Sequence, residues 1–251
     1  MVAFPPCKIN LGLSIIRKRA DAYHDIETIF YPVPWTDILE VIPSDKFVFT
    51  ATGNAIPGKE EDNLCVRAHK ILNAPPAKIH LHKIIPAGAG LGGGSSDAAW
   101  TLRLLNDVFE LKHSKEDLKN YAAQLGSDCA FFIENRPMLG TGRGEILTPV
   151  DVDLKGKFIV IIKPDVHVST TEAYAGVVPK ERKPGSEWTN DFEESVFRKH
   201  PILASIKSTL YEAGASYASM SGSGSAVFGI FSQQPSDGKL NPFTPSFAGW
   251  L

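Results

Sequence analysis

The segment with the clearest chemical potential is the glycine-rich run at residues 86–96, Pro-Ala-Gly-Ala-Gly-Leu-Gly-Gly-Gly-Ser-Ser. Its glycines leave backbone N–H groups uncovered and permit positive φ angles, so successive N–H groups can point into one concavity. A helical pattern follows at once, and a helix N-terminus adds unpaired N–H donors and the positive end of a dipole. Ser95 and Ser96 add hydroxyls where a phosphate or a magnesium ion would lie. The run therefore predicts a cradle for a polyphosphate, in which a β-branched side chain at Gly92 would occupy the place of the phosphate.

Three other interpretations of this run compete with the cradle. Residues 88–93 satisfy G-x-G-x-x-G, the dinucleotide fingerprint, but the acidic residue expected about 20 positions later should end a second strand. The pattern there predicts a helix, a linker with Glu110 and another helix. A Walker A loop fails because no Gly-Lys-Ser/Thr follows. A purely structural turn is disfavoured by five glycines within seven residues.

A second glycine-rich element lies at residues 219–228, Ser-Met-Ser-Gly-Ser-Gly-Ser-Ala-Val-Phe. Alone it could be a hairpin turn. Its likeness to the first run predicts that both loops face the same phosphates, with Gly222 and Gly224 as candidates for contact.

The surrounding chain supplies elements that could position these loops. Alternation predicts strands over residues 7–17, 37–43, 46–51 and 78–85, and helical spacing predicts helices over 63–72, 97–106 and 115–125. The last helix should begin at Ser114, with Asp117 three residues on, close to a capping box. Further on, residues 157–163 predict a buried strand, 191–211 mainly helix, and 216–230 a strand, a glycine turn and a strand. A domain boundary is expected near residue 150, which divides the chain into 1–150 and 151–251, and residues 180–187 are the expected loop.

Composition narrows the function classes. The 251 residues carry 26 basic and 28 acidic side chains and a net charge of −2, which argues against a nucleic-acid partner. Three widely spaced cysteines, Cys7, Cys65 and Cys129, suggest buried free thiols of a reducing compartment. Neither a signal peptide nor an apolar stretch of about 18 residues is evident, so a cytoplasmic location without a membrane partner is expected.

Two pairs of potential metal ligands lack a third member. His80 and His82 share a strand face, and Cys65 and His69 are one helical turn apart. Since no third ligand with suitable spacing follows either pair, no metal site is predicted from them.

Three segments, in the order expected, resemble the signatures of the GHMP kinases, the superfamily of galacto-, homoserine, mevalonate and phosphomevalonate kinases. They are residues 6–13 (Pro-Cys-Lys-Ile-Asn-Leu-Gly-Leu), 86–99 and 219–228. The resemblance implies an α+β fold of two domains: an N-terminal ribosomal-S5-domain-2-like domain with a left-handed βαβ unit, and a C-terminal ferredoxin-like domain. General rules alone would predict a right-handed crossover.

Further segments are similar to one branch of this superfamily, which phosphorylates the 2-hydroxyl of 4-diphosphocytidyl-2-C-methyl-D-erythritol in non-mevalonate isoprenoid precursor biosynthesis. These segments are residues 19–24 (Arg-Ala-Asp-Ala-Tyr-His) with Thr28 and Phe30, and residues 62–64, 125–128, 144–149 and 190–193. The chain departs from the branch pattern at Ala22, where a glycine is usual, and in a short region between Tyr174 and Asn190. No second acidic magnesium ligand is obvious.

The resemblance implies roles for individual residues. Asp128 is implied as the general base and Lys8 as its partner, with Asn10 orienting the substrate. Tyr23 and Tyr174 are implied to stack on cytosine, His24 to bind its edge and Thr170 to contact the diphosphate. The implied ATP-binding residues are Asn63, Lys83, Pro86, Ala87, Gly88, Ala89, Gly90, Leu91, Gly92, Gly93, Gly94, Ser95, Ser96, Gly222 and Gly224. ATP is implied as co-substrate together with Mg²⁺, whose protein ligands are unknown; the oligomeric state is not predicted.

Two alternatives remain open at this point. Another GHMP kinase, of the mevalonate or homoserine type, is disfavoured by the Tyr23-His24 pair. A nucleotide-binding sensor without catalysis is disfavoured by the presence of Lys8 and Asp128.

Overall fold

The computed structural model describes residues 1–21, 23–177, 179 and 188–251. The predicted loop at 180–187 and the Ala22 turn lie outside these residues. The strands are β1 (Val2–Ala3), β2 (Pro6–Lys18), β3 (His24–Thr36), β4 (Ile38–Pro43), β5 (Val48–Gly53), β6 (Ala77–Lys83), β7 (Met138–Thr141), β8 (Ile146–Pro149), β9 (Phe158–Ile162), β10 (Tyr217–Met220), β11 (Val227–Phe231) and β12 (Phe247–Trp250). The helices are α1 (Leu64–Ile71), α2 (Gly93–Val108), α3 (Lys115–Leu125), α4 (Cys129–Glu134), α5 (Thr170–Ala175), α6 (Glu193–Lys199) and α7 (Pro201–Glu212), and a 3₁₀ turn lies at Glu60–Asp62.

Two compact units divide the chain. The first comprises Met1–Lys8, Trp35–Ala87 and Gly92–Arg136, and the second comprises Ile9–Pro34, Gly88–Leu91 and Pro137–Leu251. Each unit is made of three separate segments, so the units do not correspond to residues 1–150 and 151–251. The domain boundary near residue 150 stays a prediction.

The first unit contains a four-stranded sheet with the order β1-β4-β6-β5. In β6 the residues Ala77, Ile79, Leu81 and Lys83 are buried and alternate with more exposed ones, as expected of a strand with one covered face. β5 pairs with β6 in parallel, and α1 lies between them in the chain. These three elements form the βαβ unit that the family resemblance implies; the handedness of its crossover stays an expectation.

Helices cover the first unit, and α2 packs against α1, α3 and α4. α3 begins as predicted: the Ser114 hydroxyl accepts from Asp117 N (3.1 Å), and the Asp117 carboxylate accepts from Ser114 N (2.9 Å). This capping box satisfies N–H groups that the helix itself leaves unpaired. α2 begins at Gly93 rather than at residue 97, because packing of its first turn overrides the poor helix propensity of glycine.

The second unit contains two sheets, to which β2 contributes its residues from Ile9 onward and β3 its residues up to Pro34. One has the order β2-β3-β7-β8, and the other has the order β10-β11-β9-β12 with antiparallel neighbours throughout. In the latter, β9 is followed by helices and the hairpin β10–β11, and β12 closes the other edge, in the manner of a ferredoxin-like domain. Residues 232–246, all of them described, form turns where a second helix would lie. The core between sheet and helices includes Val160 and Ile162 from β9 and Leu203, Ile206 and Leu210 from α7.

The three cysteines are buried free thiols, as predicted, and all lie in the first unit. Burial raises the pKa of Cys7 and of Cys129 to about 12, so the reactive thiolate is scarce at neutral pH.

None of the helices in the described stretches is long and apolar enough to cross a membrane.

Candidate active site

The glycine-rich run has the backbone that its composition predicts. Gly88, Gly90 and Gly92 have φ values of +64°, +77° and +68°, a left-handed region that other residues enter only at a cost. Gly92 is the N-cap of α2, and Gly93 and Gly94 form the first residues of that helix. The first N–H groups of the helix have no intrahelical partner, so the run ends in a group of donors suited to an anion.

Gly92 also brings the run close to Lys8. A Cβ at position 92 would lie 3.1 Å from Cγ of Lys8 and 3.0 Å from Cζ of Phe132. The sequence predicts a small residue at this position because a phosphate would lie there. The structure gives a different reason, because the lysine stem and the phenylalanine ring fill the space.

Lys8 and Asp128 form an ion pair, with 3.5 Å between Nζ and Oδ2. The side chain of Lys8 is 4% exposed and that of Asp128 is 32% exposed. Burial lowers the pKa of the Lys8 ammonium, and the Asp128 carboxylate opposes that shift. Asp128 occupies the N-cap position of α4, yet its side chain makes no capping hydrogen bond. The purely structural explanation for this aspartate is therefore not realised.

The second glycine-rich loop lies against part of the first. The Ser221 hydroxyl donates to the Gly90 carbonyl (2.8 Å), and Ala226 N donates to the Ala89 carbonyl (3.1 Å). A Cβ on Gly90 would collide with the backbone carbonyl of Ser221. Within the second unit the two loops thus share one surface, which supports a common ligand for both.

Asn10 joins this arrangement through its amide. Its Nδ2 donates to Oγ1 of Thr28 (2.9 Å), and its Oδ1 accepts from the Ser221 hydroxyl (3.4 Å). The side chain is buried, so its orientation is determined by these partners.

A group of aromatic side chains surrounds Tyr174. His24 stacks on its ring with a centroid distance of 4.8 Å and an interplanar angle of 20°, and Phe192 contacts it edge-on at 4.8 Å. Tyr23 is 57% exposed, and the Arg143 guanidinium lies 5.0 Å over its ring. The structure thus pairs Tyr174 with His24, and the predicted sandwich of cytosine between the two tyrosines stays a prediction.

Comparison with known proteins decides between the kinases of this fold. Residues 63–136 match the family GHMP kinases N terminal domain, and residues 183–241 match GHMP kinases C terminal. A 4-diphosphocytidyl-2-C-methyl-D-erythritol kinase of Cytophaga hutchinsonii is 52% identical over 94% of each chain, and one of Parabacteroides distasonis is 51% identical over 92% of each. The chain belongs to the 4-diphosphocytidyl-2-C-methyl-D-erythritol kinase family. A crystal structure of 4-(cytidine 5'-diphospho)-2C-methyl-D-erythritol kinase matches with a TM-score of 0.80 at 33% identity, over 92% of this chain and 90% of that one.

More distant kinases share the fold alone. A mevalonate kinase of Methanococcus jannaschii matches with a TM-score of 0.67 at 14% identity, over 92% of this chain and 90% of the other.

The family models and the relatives of about 50% identity confirm three predictions. These are the fold class, the class of ATP-dependent GHMP small-molecule kinase and the link to non-mevalonate isoprenoid biosynthesis.

Two residues implied to bind the adenine side of ATP have internal partners in this kinase. Asn63 Oδ1 accepts from Cys65 N (2.9 Å) and caps α1. Lys83 is 3% exposed, and its ammonium contacts the carboxylates of Asp37 and Asp97. This burial argues against direct contact of the Lys83 ammonium with a nucleotide.

The pKa values of Asp97 and Lys83 are shifted by burial and by the neighbouring charges. Burial raises the pKa of Asp97 to about 8; the Lys83 ammonium opposes the shift and the Asp37 carboxylate adds to it. Burial alone would lower the pKa of Lys83, but Asp97 and Asp37 outweigh it and the pKa is raised.

One positioning residue was missed from the sequence although it lies in a family-like segment. Asn190 is 4% exposed, and its Nδ2 donates to the carbonyls of Met220 and Gly222, each at 2.8 Å. These bonds hold the second glycine-rich loop. No local pattern signals the contact, because the partners are about thirty residues away in the chain.

Three other residues considered for binding roles, Thr170, His80 and His82, form hydrogen bonds with hydroxyl groups. Thr170 Oγ1 lies 3.5 Å from the hydroxyl of Ser223 on the second loop. His80 and His82 bond to threonine hydroxyls of β5. Within the described ranges, no group of three or more His, Cys, Asp or Glu side chains is arranged to hold a metal ion.

Proposed function

We propose that the chain transfers the γ-phosphoryl group of ATP to the 2-hydroxyl of 4-diphosphocytidyl-2-C-methyl-D-erythritol, with Asp128 as general base. The observation that carries this proposal is the Lys8–Asp128 ion pair, whose lysine packs against the N-cap glycine of α2. The hydroxyl oxygen forms a bond to the γ-phosphorus while the bond to the ADP oxygen breaks, and the hydroxyl proton passes to the Asp128 carboxylate.

The protein supplies positive potential where the phosphoryl group is transferred. The buried Lys8 ammonium and the N–H groups at the start of α2 can stabilise charge on the phosphoryl oxygens without reorganising. The Lys8 ammonium also lies 3.5 Å from the carboxylate that would take the proton. Glycine-rich residues 86–96, with Gly222 and Gly224, are proposed to surround the triphosphate.

Mg²⁺ is proposed to accompany ATP. This ion usually takes one or two oxygens from the protein and the rest from phosphates and water. Ser96 offers a buried hydroxyl that has no hydrogen-bond partner within the described part of the chain. That orphaned oxygen and the Asp128 carboxylate fit a metal held mainly by the substrate, and the ion would neutralise phosphate charge.

The cytidyl side of the substrate is proposed to lie at the aromatic group. Tyr23 and Tyr174 offer flat faces for a base, His24 offers ring nitrogens for its edge, Asn10 would orient the substrate and Thr170 would contact the diphosphate. A cytoplasmic location and the lack of a nucleic-acid partner stay predictions of the sequence.

The test is ADP release in the presence of ATP and one of three alcohols: the cytidyl substrate, mevalonate or homoserine. We expect turnover of the cytidyl substrate alone. Asp128→Asn should lower kcat by at least about 10²-fold and retain ATP binding. Asp45→Asn, an exposed acid of the same unit, is the control and should behave as wild type.

Other results of the ADP-release assay would support a different function or a different general base. Turnover of mevalonate or homoserine would support another GHMP kinase. ATP binding without turnover of any alcohol would support a sensor. Near-normal kcat in Asp128→Asn would remove Asp128 from the role of base.

A further inference from the structure

Three charged side chains are buried together in the first unit. The Lys83 ammonium contacts Oδ2 of Asp37, and it lies 3.0 Å from Oδ2 of Asp97. The side chains of all three are at most 2% exposed. Burying charges is costly, and an apolar trio of similar size is often at least as stable. A stability role alone therefore does not explain this cluster.

The cluster joins the two segments that flank the phosphate-binding run. Asp37 lies between β3 and β4, and its Oδ1 accepts from Ile84 N (2.5 Å) and Ile85 N (2.8 Å). These are the last residues before the run begins at position 86. Asp97 lies one turn into α2, just after the run ends. One ammonium thus connects the strand exit to the helix start.

The start of α2 is shaped to accept this ammonium. A Cβ at Gly93 would lie 2.8 Å from Nζ of Lys83 and 3.0 Å from Cγ2 of Ile85. Gly93 has a helical backbone, so its lack of a side chain serves packing rather than a special φ angle. The helix can approach the strand exit closely only because position 93 is glycine.

Asp97 depends on Lys83 for this link. Its Oδ1 has no hydrogen-bond partner among residues that the structure describes, and its Oδ2 contacts Lys83. Among the described residues, the other ionisable side chains that face the cluster are the thiols of Cys7 on β2 and Cys65 on α1, which burial keeps neutral. In the described part of the chain, Lys83 is therefore the cation that contacts both Asp37 and Asp97.

We propose that Asp37, Lys83 and Asp97 are positioning residues, which hold the strand exit and the start of α2 at the separation that lets the run between them bind the phosphates of ATP. The proposal rests on the proposed function only for the identity of the nucleotide. It replaces a direct nucleotide contact of Lys83 with an indirect role.

Lys83→Met tests the cluster, and Lys78→Met, an exposed lysine of the same strand, is its control. A displacement of the loop by an ångström should raise the Kd for ATP, measured by calorimetry on folded protein, at least about 10-fold. The KM for the cytidyl alcohol should stay within about 3-fold, and Lys78→Met should match wild type. A folded Lys83→Met protein with wild-type ATP affinity would overturn the proposal.

A double variant separates positioning from stability. Lys83→Met leaves two buried acidic side chains, Asp37 and Asp97, without the cation that contacts them, and adding Asp97→Asn replaces one of them with an amide that cannot ionise. We expect the double variant to recover part of the thermal stability that Lys83→Met loses. Its affinity for ATP should stay as low as that of Lys83→Met, because no ionic link joins the strand exit to α2. Recovery of ATP affinity together with stability would show a purely structural role.

Asp97→Asn alone covers the case in which Lys83→Met does not fold. This isosteric change weakens the link and should raise the ATP Kd by roughly 3- to 10-fold; an unchanged Kd would contradict the proposal. If wild-type protein bound ATP but did not phosphorylate the cytidyl alcohol, the substrate assignment would fail while these ATP measurements still decided the role of the cluster.

Discussion

Replacing Gly92 and Gly94 separately by alanine should produce opposite changes in stability. Gly92 has φ +68° and ψ 15°, and an L-residue in this region costs about 1–2 kcal/mol. Its new Cβ would also lie 3.0 Å from Cζ of Phe132 and 3.1 Å from Cγ of Lys8, closer than the roughly 3.5–4.0 Å of relaxed carbon contacts. Such overpacking typically adds about 1–3 kcal/mol. We expect Gly92→Ala to lose on the order of 3 kcal/mol.

Gly94 provides the matched comparison within the same run. It lies inside α2, is exposed, and a Cβ there would meet no heavy atom within 4 Å. Alanine in place of glycine in a helix should stabilise by about 0.5–1 kcal/mol. If the triphosphate lies over the start of α2, the added methyl group should nevertheless raise the KM for ATP.

Thermal unfolding and steady-state kinetics of both variants check these expectations. At about 2–4 °C per kcal/mol for a chain of this size, Gly92→Ala should melt roughly 6–12 °C below wild type and Gly94→Ala slightly above it. Displacement of Lys8 should also lower kcat in Gly92→Ala. A wild-type melting temperature and kcat in Gly92→Ala would refute the packing argument. Wild-type ATP KM in Gly94→Ala would place the phosphates elsewhere.

Three further changes have defined outcomes. Asn190→Ala removes the amide that donates to the carbonyls of Met220 and Gly222, so it should cost about 1–3 kcal/mol of unfolding free energy and raise the ATP KM; an unchanged melting temperature and KM would contradict this role of Asn190. Asp97 has a folded pKa of about 8 against an ordinary 3.8, so its contribution to stability is present at low pH and is lost as the pH rises through about 8. Wild type should therefore lose up to about 1.4 kcal/mol per pH unit between pH 6 and 8, and Asp97→Asn should flatten this slope in melting scans; parallel slopes would contradict the assignment. Tyr23→Ala should weaken binding of the cytidyl substrate by roughly 1–3 kcal/mol and leave the ATP KM unchanged, whereas an unaltered substrate KM would speak against base stacking.

Local patterns were sufficient for several elements. β6 alternates regularly, and α3 carries its capping box in adjacent residues, so both could be placed from the sequence. β3 was not predicted, because Pro32 and Pro34 interrupt its alternation and prolines normally weaken a strand assignment. The short helix α4 and the edge strand β12 were missed as well, since their stability comes from tertiary packing.

The candidate site divides in the same way. The glycine-rich run could be recognised as a phosphate-binding loop from its own residues. The roles of Lys8 and Asp128 were predicted from segments that resemble the family. The partners of Lys83 could not be predicted, because Asp37 lies 46 residues away and no sequence spacing encodes that contact. The same holds for His24 against Tyr174, which belong to segments separated by most of the chain. Side-chain neighbours of this kind depend on the completed fold.

The three buried thiols can be used to measure local unfolding of the protein. Cys7, Cys65 and Cys129 are all shielded, and each belongs to the first unit. A thiol-specific reagent can modify them only after the surrounding structure opens, so the rate of modification would measure opening around these three residues of the first unit. Adding nucleotide during such labelling would reveal how strongly a bound ligand holds that unit closed.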